Sequence, residues 1–171
     1  MKLAEAQAIA ERVQAELSPY CEPGRCCIGG SIRRKSPEPN DLEIICVPKT
    51  IPGGLFKDRA ERDPDFLHVV NRWFAVKGDA ATGKYTQRIL PEGIKVDLFM
   101  PTLDTFGVIY AIRTGSAEYS HQVLAKGWTR LGYESRGGVL WKDGQPTFLR
   151  EERKLFDLLG IPWCPPELRE I

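Results

Sequence analysis

Residues 29–47 read GGSIRRKSPEPNDLEIICV, and the second half of this stretch decides the fold. From Asp41 to Val47 it is dense in β-branched residues and it stops at Pro48, which predicts a buried strand with two carboxylates at its start. Side chains on a strand alternate faces, so Asp41 and Glu43 point the same way while Leu42 enters the opposite layer. Two acids crowded on one face repel each other, and burying them is costly unless a cation lies between them. Hard oxygen donors of this kind suit magnesium or manganese, which keep several waters and are completed by substrate phosphates.

Upstream, ten residues before Asp41, stands Gly29-Gly30-Ser31 followed by Ile32-Arg33-Arg34. Paired glycines let backbone amides approach an anion, Ser31 adds a hydroxyl, and Arg34 offers a bidentate fork for phosphate. Downstream, Gly93 to Met100 predicts a second core strand closed by Pro101, with Asp97 set among Val96, Leu98 and Phe99. If the two strands are neighbours, three carboxylates converge on one edge, as a two-metal phosphoryl-transfer site requires. A phosphate cradle beside such a triad implies a nucleoside triphosphate and in-line displacement of pyrophosphate. Each piece alone has a plainer reading. Gly-Gly-Ser is a common turn, Arg33-Arg34-Lys35 is a typical solvated face, and an acid opening a strand is often a surface charge. It is their joint order and spacing that point to chemistry.

The remainder of the chain reads as a mixed α/β (α+β) protein. Ile9, Val13 and Leu17, with Ala6 and Ala10 beside them, predict a helix over residues 3–18 that ends before Pro19. Residues 49–63 look turn-rich around Pro52-Gly53-Gly54. A helix over 65–76 would bury Phe66, Val69, Val70 and Trp73, and further helices are expected near 103–112, 117–131 and 150–159. Asp143-Gly144 marks a hairpin between Val139–Trp141 and Pro146–Phe148. The texture changes near residue 105, so we expect a sheet-and-helix lobe over 1–105 and a small helix–hairpin–helix lobe over 106–171.

Composition narrows the classes. With 171 residues, 42% apolar and 27% charged, the chain falls near globular averages, which excludes wholesale disorder and coiled coil. No run approaches the ~20 apolar residues of a membrane span. A net charge of +1 is weak for gripping nucleic acid by bulk electrostatics, so such contacts rest on local clusters; Lys126, Arg130 and Arg136 are candidates. The five cysteines form no CxxC and lie far from His68 and His121 in sequence, which fits free thiols in a reducing, cytoplasmic setting without zinc. Acids interrupt the N-terminal segment MKLAEAQAIAERVQ, so no signal peptide is expected. Trp73, Trp128, Trp141 and Trp163 read as packing residues rather than base-stacking platforms, and for His121 the plain reading is favoured over a contact to DNA or substrate.

The run GGSIRRKSPEPNDLEII resembles the nucleotidyltransferase superfamily signature, and KVDLFM resembles its third-carboxylate strand. FGVIYAIRTGSAEY, the hairpin VLWKDG and the tail LLGIPWCPPELRE together resemble the thumb of family X DNA polymerases, the group of DNA polymerase beta. The likeness runs over residues 27–171 and is nearest in size to minimal members made of palm and thumb alone. It implies a palm over 1–105 and a thumb over 106–171. It implies two magnesium (or manganese) ions held by Asp41, Glu43 and Asp97, with Asp97 activating the attacking 3′-hydroxyl. It further implies triphosphate contacts from Gly30, Ser31 and Arg34, orientation of the carboxylates by Lys95, and sugar and base contacts from Arg113, Thr114, Gly115 and Ser116.

The activity implied is that of a DNA-directed DNA polymerase in gap filling or end repair. Its partners would be dNTP (or NTP) and primer–template or gapped DNA, without membrane, as a monomer. Four departures stand out. Glu43 replaces the usual Asp, Arg113 replaces an aromatic residue, the helix after Ser116 is about four residues short, and no lyase activity is expected. The alternatives are a template-independent nucleotidyltransferase acting on RNA, protein or a small molecule, and a catalytically silent nucleic-acid-binding protein.

Overall fold

The computed structural model describes residues 1–53 and 60–171. Helix α1 (Leu3–Leu17) buries Ala6, Ala10, Val13 and Leu17 along one stripe, as its periodicity predicts. Strand β1 (Cys21–Ile28) leads into a single helical turn, α2 (Gly30–Arg33), and then β2 (Leu42–Pro48). The segment expected to be turn-rich contains a short antiparallel pair, β3 (Thr50–Pro52) with β4 (Ala60–Arg62); Gly54 of the expected turn lies outside the described residues.

Helix α3 (Pro64–Asn71) starts where Asp63 accepts a hydrogen bond from the amide of Asp65 at 2.8 Å, with Pro64 at the first helical position. It ends five residues earlier than the apolar spacing predicts. Phe74–Gly78 instead forms β5, because Phe74-Ala75-Val76 is rich in residues that favour a pleated strand and finds a ladder partner in β6 (Tyr85–Ile89). Strand β7 (Lys95–Phe99) completes a five-stranded sheet in the order β1-β2-β7-β6-β5. Only the β2–β7 pair is parallel, so the sheet is mixed, and β7 is its centre. The helical face of β2 and β7 (Leu42, Ile44, Cys46, Val96, Leu98) packs on α1 and α3 in one core.

The chain then crosses through a 3₁₀ turn into α4 (Phe106–Thr114). The helix expected over 117–131 is not regular. It consists of α5 (Ala117–Tyr119), a π-helical stretch (Ser120–Ala125) and α6 (Lys126–Arg130). Burial explains the wide turn: Tyr119, Leu124 and Trp128 are all buried, at spacings of five and then four residues. A regular helix cannot place residues five apart on one stripe, and an i→i+5 turn brings them back into line. Strands β8 (Glu134–Arg136), β9 (Val139–Lys142) and β10 (Gln145–Thr147) form a three-stranded sheet; β8 was not foreseen. Positive φ at both Asp143 and Gly144 matches the expected hairpin turn. Helix α7 (Glu152–Leu159) packs its Leu155 and Phe156 against Val108, Ala111, Leu124 and Trp128 in a second core. A third, smaller cluster joins Ile45 and Val47 of β2 to Phe106 of α4.

The N- and C-terminal parts are also clasped by charge. Arg33 makes two hydrogen bonds to the Glu152 carboxylate, at 2.7 and 2.9 Å, and Arg169 makes a third at 2.6 Å. Arg169 is fully buried and stacks near Phe156 and Trp163, while Arg33 lies 3.8 Å over Tyr110, so aromatic faces take up the surplus positive charge. Arg25–Glu151, Arg34–Glu170 and Lys35–Glu167 continue the seam. The Arg33-Arg34-Lys35 run is therefore neither a solvated face nor a bare anion site: acids of the C-terminal segment neutralise it. No described helix is long and apolar enough to cross a membrane.

Burial opposes the charged form of Glu152, but the two guanidiniums win and hold its pKa down to about 2, against about 4.5 when unfolded. A depressed acid stabilises the fold above its unfolded pKa and loses that contribution as pH falls through the folded value. The difference corresponds to about 3 kcal/mol at neutral pH. Denaturant midpoints should therefore drop between pH 5 and pH 2. Glu152→Gln should cost about 3–5 kcal/mol at pH 7 by leaving two buried cations unpaired, and should flatten that acid limb.

Candidate active site

Parallel pairing of β2 with β7 sets Glu43 directly beside Asp97, and Leu42 beside Val96. Asp41 stands just before β2, across from Lys95, so the three acids expected from the sequence meet at one edge of the sheet. They feel one another. Burial and the neighbouring Asp97 charge raise the Asp41 pKa, which Lys95 partly offsets. Glu43 is pushed up to about 7, first by burial and then by Asp41, with Arg113 and Arg34 pulling the other way. Asp97 is nearly buried, and its Oδ1 accepts hydrogen bonds from Tyr85 Oη at 2.5 Å and Gln87 Nε2 at 2.9 Å.

The glycine pair has a specific role. Gly30 has φ +58°, and a Cβ there would fall 1.6 Å from Glu43 Oε2. A Cβ on Gly29 would fall 2.3 Å from Ile45 Cδ1. What the two glycines admit is thus β2 itself, and at Gly30 the carboxylate of Glu43, whose longer side chain occupies the space above the loop. Ser31 follows in the same turn and is partly exposed.

Arg34 borders a cavity of about 520 Å³ together with Glu43, Arg113, Ser116, His121 and Trp128. Its Nη1 donates to Thr114 O at 2.8 Å, and its Nε to Glu170 at 2.5 Å. Glu170 is half exposed, and such a surface pair is weak enough for a phosphate to displace. Arg113 is exposed, with its guanidinium 4.0 Å over the Phe99 ring. It borders both this cavity and a second one of about 490 Å³, where Lys84, Tyr85, Phe99 and Arg136 converge and no acid enters the lining among the described residues.

Gly115 and Ser116 line the first cavity, but the Thr114 side chain does not. Thr114 is fully buried, its hydroxyl donating to Tyr110 O at 2.7 Å and accepting from Arg33 Nη1 at 2.6 Å. The Thr114 hydroxyl belongs to the clasp between the two parts of the chain. Tyr85, Gln87 and Ser120 were not singled out in the sequence. The alternation Tyr85, Gln87, Ile89 in a strand facing Asp97 was the available signal for the first two.

Carboxylates under mutual repulsion are the donor type that magnesium takes. Among the described residues, however, no group of three His, Cys, Asp or Glu side chains is placed to hold a metal ion. Of the three acids, Glu43 alone lines the cavity walled by Arg34 and Arg113.

The C-terminal part also has known counterparts. Residues 110–170 match the family model described as DNA polymerase beta thumb. The match begins at Tyr110 in α4 and does not reach Asp41, Glu43 or Asp97. No curated protein matches the chain significantly. The stretch from α4 to the C-terminus is thus similar to a DNA polymerase beta thumb, which supports a relationship to family X polymerases.

Proposed function

We propose that this protein is a nucleotidyltransferase of the DNA polymerase type, adding dNMP from a dNTP to the 3′-hydroxyl of a primer in gapped or primed DNA. The observation that carries the proposal is the β2–β7 register, which sets Asp97 beside Glu43, itself part of the lining of a cavity walled by Arg34 and Arg113. The thumb match supports DNA as the partner, and the acid-free cavity around Lys84 and Arg136 suits its phosphates.

In this reading Arg34, with the Gly30–Ser31 turn, grips the triphosphate. Asp97 receives the proton of the acceptor hydroxyl, whose oxygen bonds to the α-phosphorus as pyrophosphate departs. Lys95 steadies Asp41, and Gly115 and Ser116 contact the sugar and base. Magnesium, held by Asp41, Glu43 and Asp97, would supply charge neutralisation at the phosphates.

Arg113 favours a second reading, untemplated transfer to RNA, protein or a small molecule. A guanidinium stacked on Phe99 replaces a flat apolar wall beside the sugar.

Extension of a labelled primer on gapped and on unpaired DNA, with each dNTP and NTP, separates the two. Template-matched addition is expected, and addition that ignores the template would establish the second. Asp97→Ala should lower incorporation by roughly 10²–10⁴-fold without unfolding the chain. Gly30→Ala should lose activity and about 1–2 kcal/mol of stability. The pair Gly30→Ala with Glu43→Asp should recover part of the stability loss, since the shorter acid vacates the space a Cβ needs; thermal melts of the three variants check this.

A further inference from the structure

Strand β6 lies on the side of β7 away from β2, with Gln87 in register with Asp97. Tyr85, Gln87 and Ile89 therefore share the face that presents Asp97, while Thr86 and Arg88 are buried on the other. Both polar side chains on the near face end on one atom, Asp97 Oδ1: Tyr85 at 2.5 Å and Gln87 at 2.9 Å. Neither bonds to Oδ2. The terminal torsion of an aspartate is broad, so a carboxylate without such contacts samples many orientations. Two donors on one oxygen remove that freedom and leave Oδ2 bonded by neither of them.

Tyr85 is itself held. Its ring packs on Phe99 at 5.1 Å between centroids, Lys77 Nζ stands 5.5 Å from its centre, and Phe99 is capped on its other contact by Arg113. A chain of contacts thus runs from Arg113, which borders both cavities, through Phe99 and Tyr85 to the carboxylate.

We infer that Tyr85 and Gln87 are positioning residues for Asp97: they hold its Oδ1 so that Oδ2 alone faces the acceptor hydroxyl. The inference rests on the proposed transfer reaction and deepens it. The requirement it meets is orientation. A proton acceptor must lie within hydrogen-bond reach of the hydroxyl at the moment of attack, and small misplacements are expensive in rate.

The test uses Tyr85→Phe, which keeps the ring and deletes the donor, Gln87→Leu, and the double variant, each checked by thermal melt. Single variants should lose roughly 10-fold in kcat, in line with one hydrogen bond to a charged group, with KM for the triphosphate unchanged. The double variant should lose more than either single. Paramagnetic resonance of Mn²⁺ with an unreactive triphosphate gives a readout independent of turnover; the double variant should bind the ion several-fold more weakly. Wild-type transfer with unchanged kcat in all variants, or a change in KM alone, overturns the inference and leaves the function standing. A wild-type protein that transfers nothing overturns both.

Discussion

The carboxylate of Glu152 is the point on which the arrangement of this molecule depends. It comes from α7, far along the chain, yet two guanidiniums meet on it, one from the turn that precedes β2 and one from the C-terminal tail. Taking three charges out of water is expensive, and the shared hydrogen bonds and aromatic contacts offset that cost, although Arg169 Nη2 is buried without a hydrogen-bond partner. The result is geometric. Arg33 is adjacent to Arg34 and two residues after Ser31, so anchoring Arg33 also anchors the turn that lies over Glu43. Thr114, one residue before Gly115, is tied into the same knot. Residues on both walls of the candidate site therefore share one buried anchor.

The chain is nearly neutral overall, and its basic stretch is paired as well: Arg33 with Glu152, Arg34 with Glu170 and Lys35 with Glu167. The same strand links packing to chemistry. Ile45 and Val47 of β2 hold α4 on the face where Glu43 stands, so the helix ending at Arg113 is registered to the carboxylate by apolar contacts within a few residues of it.

The carboxylate edge was legible in the sequence because its signals are local. Apolar residues surround Asp41, Glu43 and Asp97, each run is closed by a proline, and the two strands are neighbours, the condition on which their convergence rested. The double glycine was legible too, although its reason is the approach of β2 and Glu43 rather than an anion alone. What was hidden is what depends on distant partners. Nothing near Glu152 or Arg169 announces that they bury against Arg33, 119 residues from Glu152. The Phe66–Val76 run carried a helical apolar pattern over a segment whose second half pairs with β6, so tertiary pairing overrode local periodicity. The wide turn at Ser120–Ala125 was readable only once Tyr119, Leu124 and Trp128 were seen to be buried together.

Arg113 separates two chambers with different linings. On one side are Arg34, Glu43 and the Gly115–Ser116 loop; on the other, an acid-free recess floored by Tyr85 and Phe99. A partition made of one flexible side chain, held by a single stacking contact, can swing without disturbing either core. Arg113 is the arginine that both linings share, so a change in its rotamer alters the two cavities at once while the strands beneath it stay in place.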